Sequence, residues 1–266
     1  MKNELQKQYE GYNNTPLLWS GELEGIRQFD HTFSAAKLDA AIKQNVRLGH
    51  LVEQFLRFDL ERSSRIELIA HNVQINDEIR TLGEFDFILR QADSVKIIES
   101  AYKFYLYDPE ENRNQIAPWI GPNRKDSLHN KLHKIKQHQF KLVETSEAKM
   151  VLESLIATES PICETYFKAQ LYIPFQGQNI DFKQINKACV SGFYSRLEEF
   201  IQLKDHKFIH LSNKHDWLVK PYEGVSWKRM DAITQDVKNE LERKNSPLLW
   251  IKRPNGDIYK SFLVWW

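Results

Sequence analysis

The stretch that decides the fold runs Leu82-Gly83-Glu84-Phe85-Asp86-Phe87-Ile88-Leu89-Arg90, breaks at polar residues 91–94, and resumes as Val95-Lys96-Ile97-Ile98-Glu99-Ser100-Ala101-Tyr102-Lys103-Phe104-Tyr105-Leu106-Tyr107. Alternation sets Phe85, Phe87 and Leu89 against Glu84, Asp86 and Ile88. In the second run it puts Val95, Ile97, Glu99, Ala101, Lys103 and Tyr105 on one face, so the two runs read as a hairpin. Residues 66–76 are rich in β-branched side chains and alternate through Ile69, His71, Val73 and Ile75, predicting a strand before the hairpin. Upstream, Leu38, Ala41, Ile42, Leu48, Leu51, Val52, Phe55, Leu56 and Leu60 recur at helical spacing over residues 35–62, with a break near Gly49. Downstream, residues 126–142 return to a helical period. The expected order is a helix, three antiparallel strands and a helix, an α/β (α+β) arrangement.

The second half reads as strand-rich. Strands are expected over 162–175 and 207–219, and in a terminal hairpin of 248–252 and 258–266 joined by Pro254-Asn255-Gly256-Asp257, whose Asn-Gly pair favours a tight turn. Helices are expected over 185–202 and 227–243. The polar residues 145–160 suggest a boundary between an α/β unit, 1–150, and an α+β unit, 151–266, which can share one core.

Composition narrows the function classes. The chain has 266 residues, ample for a packed core, and Lys plus Arg exceeds Asp plus Glu by one, so no global field points to nucleic acid or membrane. Cys163 and Cys189 form neither a disulfide framework nor a metal-spaced pair. No run approaches the roughly 18 apolar residues of a membrane span, and the polar N-terminus carries no apolar targeting segment, so a cytoplasmic protein without membrane contact is expected. Glycine-rich phosphate loops and the HExxH pattern are missing from the sequence.

The hairpin gathers the chemistry. Glu84 and Asp86 share a face of one strand, Glu99 and Lys103 a face of the next, and such like charges repel unless a cation sits among them. A hydrated Mg²⁺ or Mn²⁺ held by one or two carboxylates and substrate phosphates resolves this, with the lysine positioning an attacking water. The same letters also read as solvated strand residues. Glu53 lies at the margin of its helix's apolar face and reads two ways, as a carboxylate over the sheet or as an exposed partner of Arg57 four residues on. In the 126–142 helix, Leu128, Leu132, Ile135 and Leu142 form a buried line, while Lys131, Lys134, His138 and Lys141 form a basic stripe. With Arg124, Lys125 and Lys136, and with Trp119 for stacking, that stripe suits a nucleic-acid backbone, or is a solvated face. Gln139 interrupts the apolar line, either facing the site or bonding a neighbouring backbone group.

Leu48-Gly49-His50-Leu51-Val52-Glu53, Asn72-Val73-Gln74-Ile75, residues 80–87 and 99–106, Trp119-Ile120-Gly121-Pro122-Asn123, Gln137-His138-Gln139 and Lys214-His215-Asp216-Trp217-Leu218 together resemble the uncharacterised bacterial family catalogued as domain of unknown function 1853. That family in turn resembles the PD-(D/E)XK, restriction-endonuclease-like nuclease superfamily, which implies a Mg²⁺-dependent nuclease acting on DNA or RNA. The resemblance implies catalytic roles for Asp86, Glu99 and Lys103, and metal ligation by Glu53, Asp86 and Glu99. It further implies nucleic-acid contacts by Trp119, Arg124, Lys131, Lys134, His138 and Lys141, and site support from Gln74, Glu84 and Gln139. One position departs from the pattern. The superfamily's acid lies two residues before its lysine, where this chain has Ala101; at roughly 3.3 Å per residue, Glu99 is about 13 Å along the strand from Lys103. A bulge, or Glu53 or Glu84 as ligand, would restore the donor set. The rival reading is a non-catalytic nucleic-acid- or protein-binding module on the same fold.

Overall fold

Long β-branched runs demand a sheet, and a sheet with one apolar face demands helices to cover it. The computed structural model describes residues 2–34, 36–111, 114–157, 159–177, 179–202 and 208–266. In chain order its elements are α1 (Lys2–Asn14), β1 (Glu22–Leu23), β2 (Ile26–Arg27), α2 (Leu48–Arg62), β3 (Ile66–Asn76), β4 (Thr81–Gln91), β5 (Ser94–Tyr107), β6 (Trp119–Ile120), α3 (Leu128–Lys134), α4 (Ser146–Ile156), β7 (Ile162–Pro174), β8 (Val190–Arg196), α5 (Leu197–Gln202), β9 (Phe208–Leu211), α6 (Met230–Glu242), β10 (Leu248–Lys252) and β11 (Ile258–Val264). Helices and a large mixed sheet make the chain α+β. Two compact units divide it: a meander unit of residues 17–102 and 129–168, and a parallel-strand unit of 1–16, 103–128 and 169–266. Each is assembled from separated stretches of chain, whereas the sequence suggested a single boundary near residue 150.

In the meander unit β3 pairs antiparallel with β4 from Ile66↔Gln91 to Asn76↔Thr81, and β4 with β5 only from Gln91↔Ser94 to Phe87↔Ile98. Beyond Phe87 the ladder stops. Ile75, Phe85, Ile88, Val95 and Ile97 form a core with Leu142 and with Ala148, Leu152 and Ile156 of α4. The start of α4 is fixed by Thr145, whose hydroxyl accepts from the Ala148 N–H at 3.2 Å. In α2, Leu51, Val52, Phe55 and Leu56 are buried. In the parallel-strand unit, β7, β8 and β11 run parallel, and β10 and β9 add antiparallel strands beside β11. Leu197, Phe200, Ile209, Ile233, Val237, Leu249, Ile251 and Leu263 form its core.

Several elements differ from the sequence reading. Residues 36–47 are not helical: Ala41 is exposed and Leu38 and Ile42 only half-buried, so no apolar face is packed to support a helix there. Gly49 lies inside the first turn of α2 rather than at a break. The helix expected over 185–202 is a 3₁₀ turn, the strand β8 and the short α5. A parallel strand covered by neighbours does not alternate cleanly, which hid β8; Gly192 fits it closely, since a Cβ there would stand 2.3 Å from the Lys260 carbonyl oxygen. The 207–219 strand contracts to β9, followed by a 3₁₀ turn at His215–Trp217, with Lys207 outside the described residues. The helices α1 and α4 were not expected. No helix among the described residues is long and apolar enough to cross a membrane.

Lys260 is 4% exposed in β11, its Nζ donating to Gln170 Oε1 at 2.8 Å and to the Trp217 carbonyl at 2.5 Å. Burial pushes this ammonium down from 10.5 to about 7. Between those values the unfolded chain binds the proton and the folded chain does not, so stability rises with pH across that window. Urea unfolding at pH 7, 8 and 9 is expected to show a wild-type slope steeper than that of Lys260→Met by about 1 kcal/mol per pH unit.

Candidate active site

Where β4 and β5 part, their register places Asp86 opposite Glu99, one step beyond Phe87↔Ile98. Asp86 Oδ2 accepts the Ser100 N–H at 2.7 Å, replacing a ladder bond with a side-chain one. Glu99 is 7% exposed and fully engaged: Oε1 accepts from Lys131 Nζ at 2.8 Å, Oε2 from Gln139 Nε2 at 2.8 Å, and its main-chain carbonyl from the Thr165 hydroxyl at 2.9 Å. A buried carboxylate needs such partners, because stripping its water costs several kcal/mol that only a paired charge and hydrogen bonds offset.

Lys131 and Gln139 reach one carboxylate because the helix changes pitch between them. After α3 the chain makes a π turn at Ile135–Gln139 and a 3₁₀ turn at Phe140–Glu144. In an uninterrupted α-helix, residues eight apart point about 80° away from each other. The π turn takes up one extra residue, so Gln139 occupies the direction an i+7 residue would have and falls in line with Lys131. Leu128, Leu132, Ile135 and Leu142 are buried as their spacing predicts. Lys131 leaves the expected basic stripe and turns inward to Glu99, while Lys134, His138 and Lys141 remain exposed.

Glu53 on α2 is 27% exposed, with Oε2 3.1 Å from His50 Nδ1. Arg57 pairs with Glu61 at 2.6 Å, so the surface partnership offered by the sequence goes elsewhere. Asp86 responds to this crowding. Burial first, then the charges of Glu99 and Glu53, drive its carboxyl up from 3.8 to about 8, against the opposing pull of the Ser100 N–H and Lys131. At neutral pH Asp86 therefore carries a proton. The cluster holds three carboxyl groups facing a single close ammonium, an electron-rich pocket suited to a cation.

The remaining expected residues lie elsewhere. Lys103 belongs to the parallel-strand unit, its Nζ 2.7 Å from Asp126 Oδ2, and Ala101 is buried. Trp119 is 1% exposed and packs edge-on against Tyr107 at 5.3 Å and beside Phe182 at 5.7 Å, because β6 pairs with the end of β5. It has no free face for a base, which corrects its expected stacking role. Arg124 stands 2.8 Å from Asp108 and lies over the Trp266 ring at 4.6 Å. Glu84 accepts from the Asn72 amide at 3.0 Å, and Gln74, opposite it on β3, is exposed. Sequence reasoning missed His50, whose i,i+3 spacing to Glu53 was its only signal, and the Ser100 N–H, which has none.

The profile of the domain-of-unknown-function family DUF1853 matches residues 3–261. The chain belongs to that family. No curated protein and no solved structure matches it. The family's matched span contains the whole carboxylate cluster, from Glu53 to Gln139.

Replacing Lys131 by Met leaves Glu99 buried beside Asp86 without its ammonium, and urea unfolding is expected to show a loss of about 3 kcal/mol. Glu99→Gln in the Lys131→Met background removes the orphaned charge and is expected to restore most of that loss. A double-mutant cycle with no coupling would show that the pair contributes nothing to folding.

Proposed function

We propose that the Asp86–Glu99 cluster is the active centre of a Mg²⁺-dependent nuclease, with Mn²⁺ able to substitute, that hydrolyses phosphodiester bonds of DNA or RNA on a restriction-endonuclease-like core. The observation that carries the reading is the cross-strand placement of Asp86 opposite Glu99, with an ammonium and an amide fixed on Glu99 and Asp86 driven to about 8. The order α2, β3, β4, β5, α3 supports it, since a helix, an antiparallel trio and a second helix is the arrangement implied by the superfamily resemblance.

The donor chemistry fits the metal. Mg²⁺ prefers hard oxygen ligands and takes one or two carboxylates, filling its remaining positions with water and phosphate oxygens. Asp86 and Glu99 would hold it, with Glu53 the third carboxylate of the cluster. Among the described residues no three Asp, Glu, His or Cys side chains form a closed metal cage. When bound, the ion supplies Lewis-acid stabilisation of charge on the scissile phosphate. The protein's own groups do the rest: Asp86 releases its proton to become a ligand, Gln139 holds Glu99 in one rotamer, and the Lys131 ammonium stands at the carboxylate pair. Lys131 thus takes the part the resemblance assigned to Lys103, which is engaged by Asp126. The exposed Lys134, His138 and Lys141 would contact the phosphate backbone.

A second reading, a binding module without catalysis, draws on the occupation of both Glu99 oxygens and on Ala101 in the usual acid position. Incubation with single- and double-stranded DNA and RNA separates the two. The nuclease reading expects Mg²⁺-dependent cleavage, stopped by chelation and lowered about 1,000-fold in Asp86→Asn with the fold intact. Its rate should rise toward pH 8 as Asp86 loses its proton, because the deprotonated carboxylate is the ligand. Metal-independent, salt-sensitive binding lost on charge reversal at Lys134 and Lys141, with no cleavage of any substrate, would select the binding module.

A further inference from the structure

In the parallel-strand unit, β7, β8 and β11 end level with one another: Pro174 pairs with Tyr194, and Val264 with Arg196. Parallel strands that end together leave a crevice at their carboxyl ends, where backbone groups and the following loops converge, and this is the usual ligand position in parallel sheets. A cavity of about 550 Å³ occupies that place here, lined by Pro174 and Phe175 after β7, Tyr194 to Arg196 at the end of β8, and Val264 and Trp266 after β11. Asp108, which follows the last residue of β5, closes another side. Its volume suits a small molecule rather than a polymer.

The lining is built and contains groups the fold leaves unused. Ser195 is 5% exposed and its hydroxyl has no hydrogen-bond partner, an unpaired buried group that costs free energy unless a ligand meets it. Arg124 and Asp108 neutralise each other at 2.8 Å. Arg196 is different. Its Nε donates to Trp266 O at 2.9 Å and its main-chain N–H to Glu199 at 3.1 Å, but among the described residues its guanidinium has no carboxylate partner. An unneutralised guanidinium beside an unpaired hydroxyl is a site for a phosphate, which takes charge-assisted hydrogen bonds from both. Glu199 and Glu110, also in the lining, accept from sugar hydroxyls or ring amines, and Phe175 and Trp266 supply aromatic surface.

We propose that the crevice at the carboxyl ends of β7, β8 and β11 binds a small phosphorylated molecule of the nucleoside-monophosphate class, with Arg196 and Ser195 on its phosphate. The site is separate from the carboxylate cluster and does not depend on the nuclease reading.

Calorimetric titration of the full chain with AMP, GMP, CMP and UMP, and with inorganic phosphate alone, tests it. At least one nucleotide is expected to bind with a dissociation constant below about 1 mM. Arg196→Gln should weaken that binding tenfold or more, and Ser195→Ala should weaken it several-fold. Both variants should keep the wild-type melting temperature without ligand, since Arg196 is exposed and Ser195→Ala removes only an unpaired group. Asp86→Asn should bind as wild type. The proposal is overturned if no nucleotide binds up to about 5 mM, if Arg196→Gln binds as wild type, if Asp86→Asn abolishes binding, or if inorganic phosphate binds as tightly as every nucleotide.

Discussion

A carboxylate at the centre of a sheet is the constraint around which the meander unit is arranged. Glu99 is almost wholly buried, and a buried charge that lost one partner would cost more than most single contacts in a domain contribute. Its two oxygens take an ammonium and an amide from one helical segment, and its backbone carbonyl takes a hydroxyl from β7. Three elements are thereby tied to one residue of β5. Asp86 then sits across from a charge already satisfied, so its own ionisation has no compensating partner left except the Ser100 N–H. The elevated carboxyl follows from that priority: Lys131 neutralises Glu99 first.

Much of this was legible in the sequence, for identifiable reasons. Strands β3 to β5 are long and alternate cleanly because one of their faces meets α4 and the other is covered less completely, so the period-two signal survives. Asp86 and Glu99 were visible as a pair because antiparallel register follows from the hairpin. The helix line Leu128, Leu132, Ile135 and Leu142 held through the pitch change because each residue can reach the core from either geometry. What was not legible depended on partners distant in sequence. Whether Lys131 faces water or Glu99, and whether Trp119 is a platform or a packed core residue, is decided by β5, which no local window contains. The α4 helix was masked by its polar surface, though Thr145 and the Ala148, Leu152, Ile156 spacing mark it once its buried face is known.

The parallel-strand unit shows the same limit in another form. Its crevice draws residues from the ends of four strands scattered over more than half the chain, so no motif announces it. Parallel pairing brings those ends level, and Gly192 lets β8 approach β11 closely. The buried Lys260, on the strand beside Gly192, shows how dry that interior is, since an amine there is held near its neutral form.

The π turn between α3 and the 3₁₀ segment has an evolutionary consequence. A turn of this kind arises when a helix gains a single residue without unwinding, so the flanking apolar lines stay buried while everything beyond the insertion rotates by about one residue's worth, roughly 100°. Which polar side chain accompanies Lys131 at Glu99 is therefore set by the length of this segment as much as by its composition. A relative lacking that residue would present position 138 or 140 to the carboxylate instead. Divergence of the site can then proceed by insertion and deletion, leaving the sheet and its acids untouched.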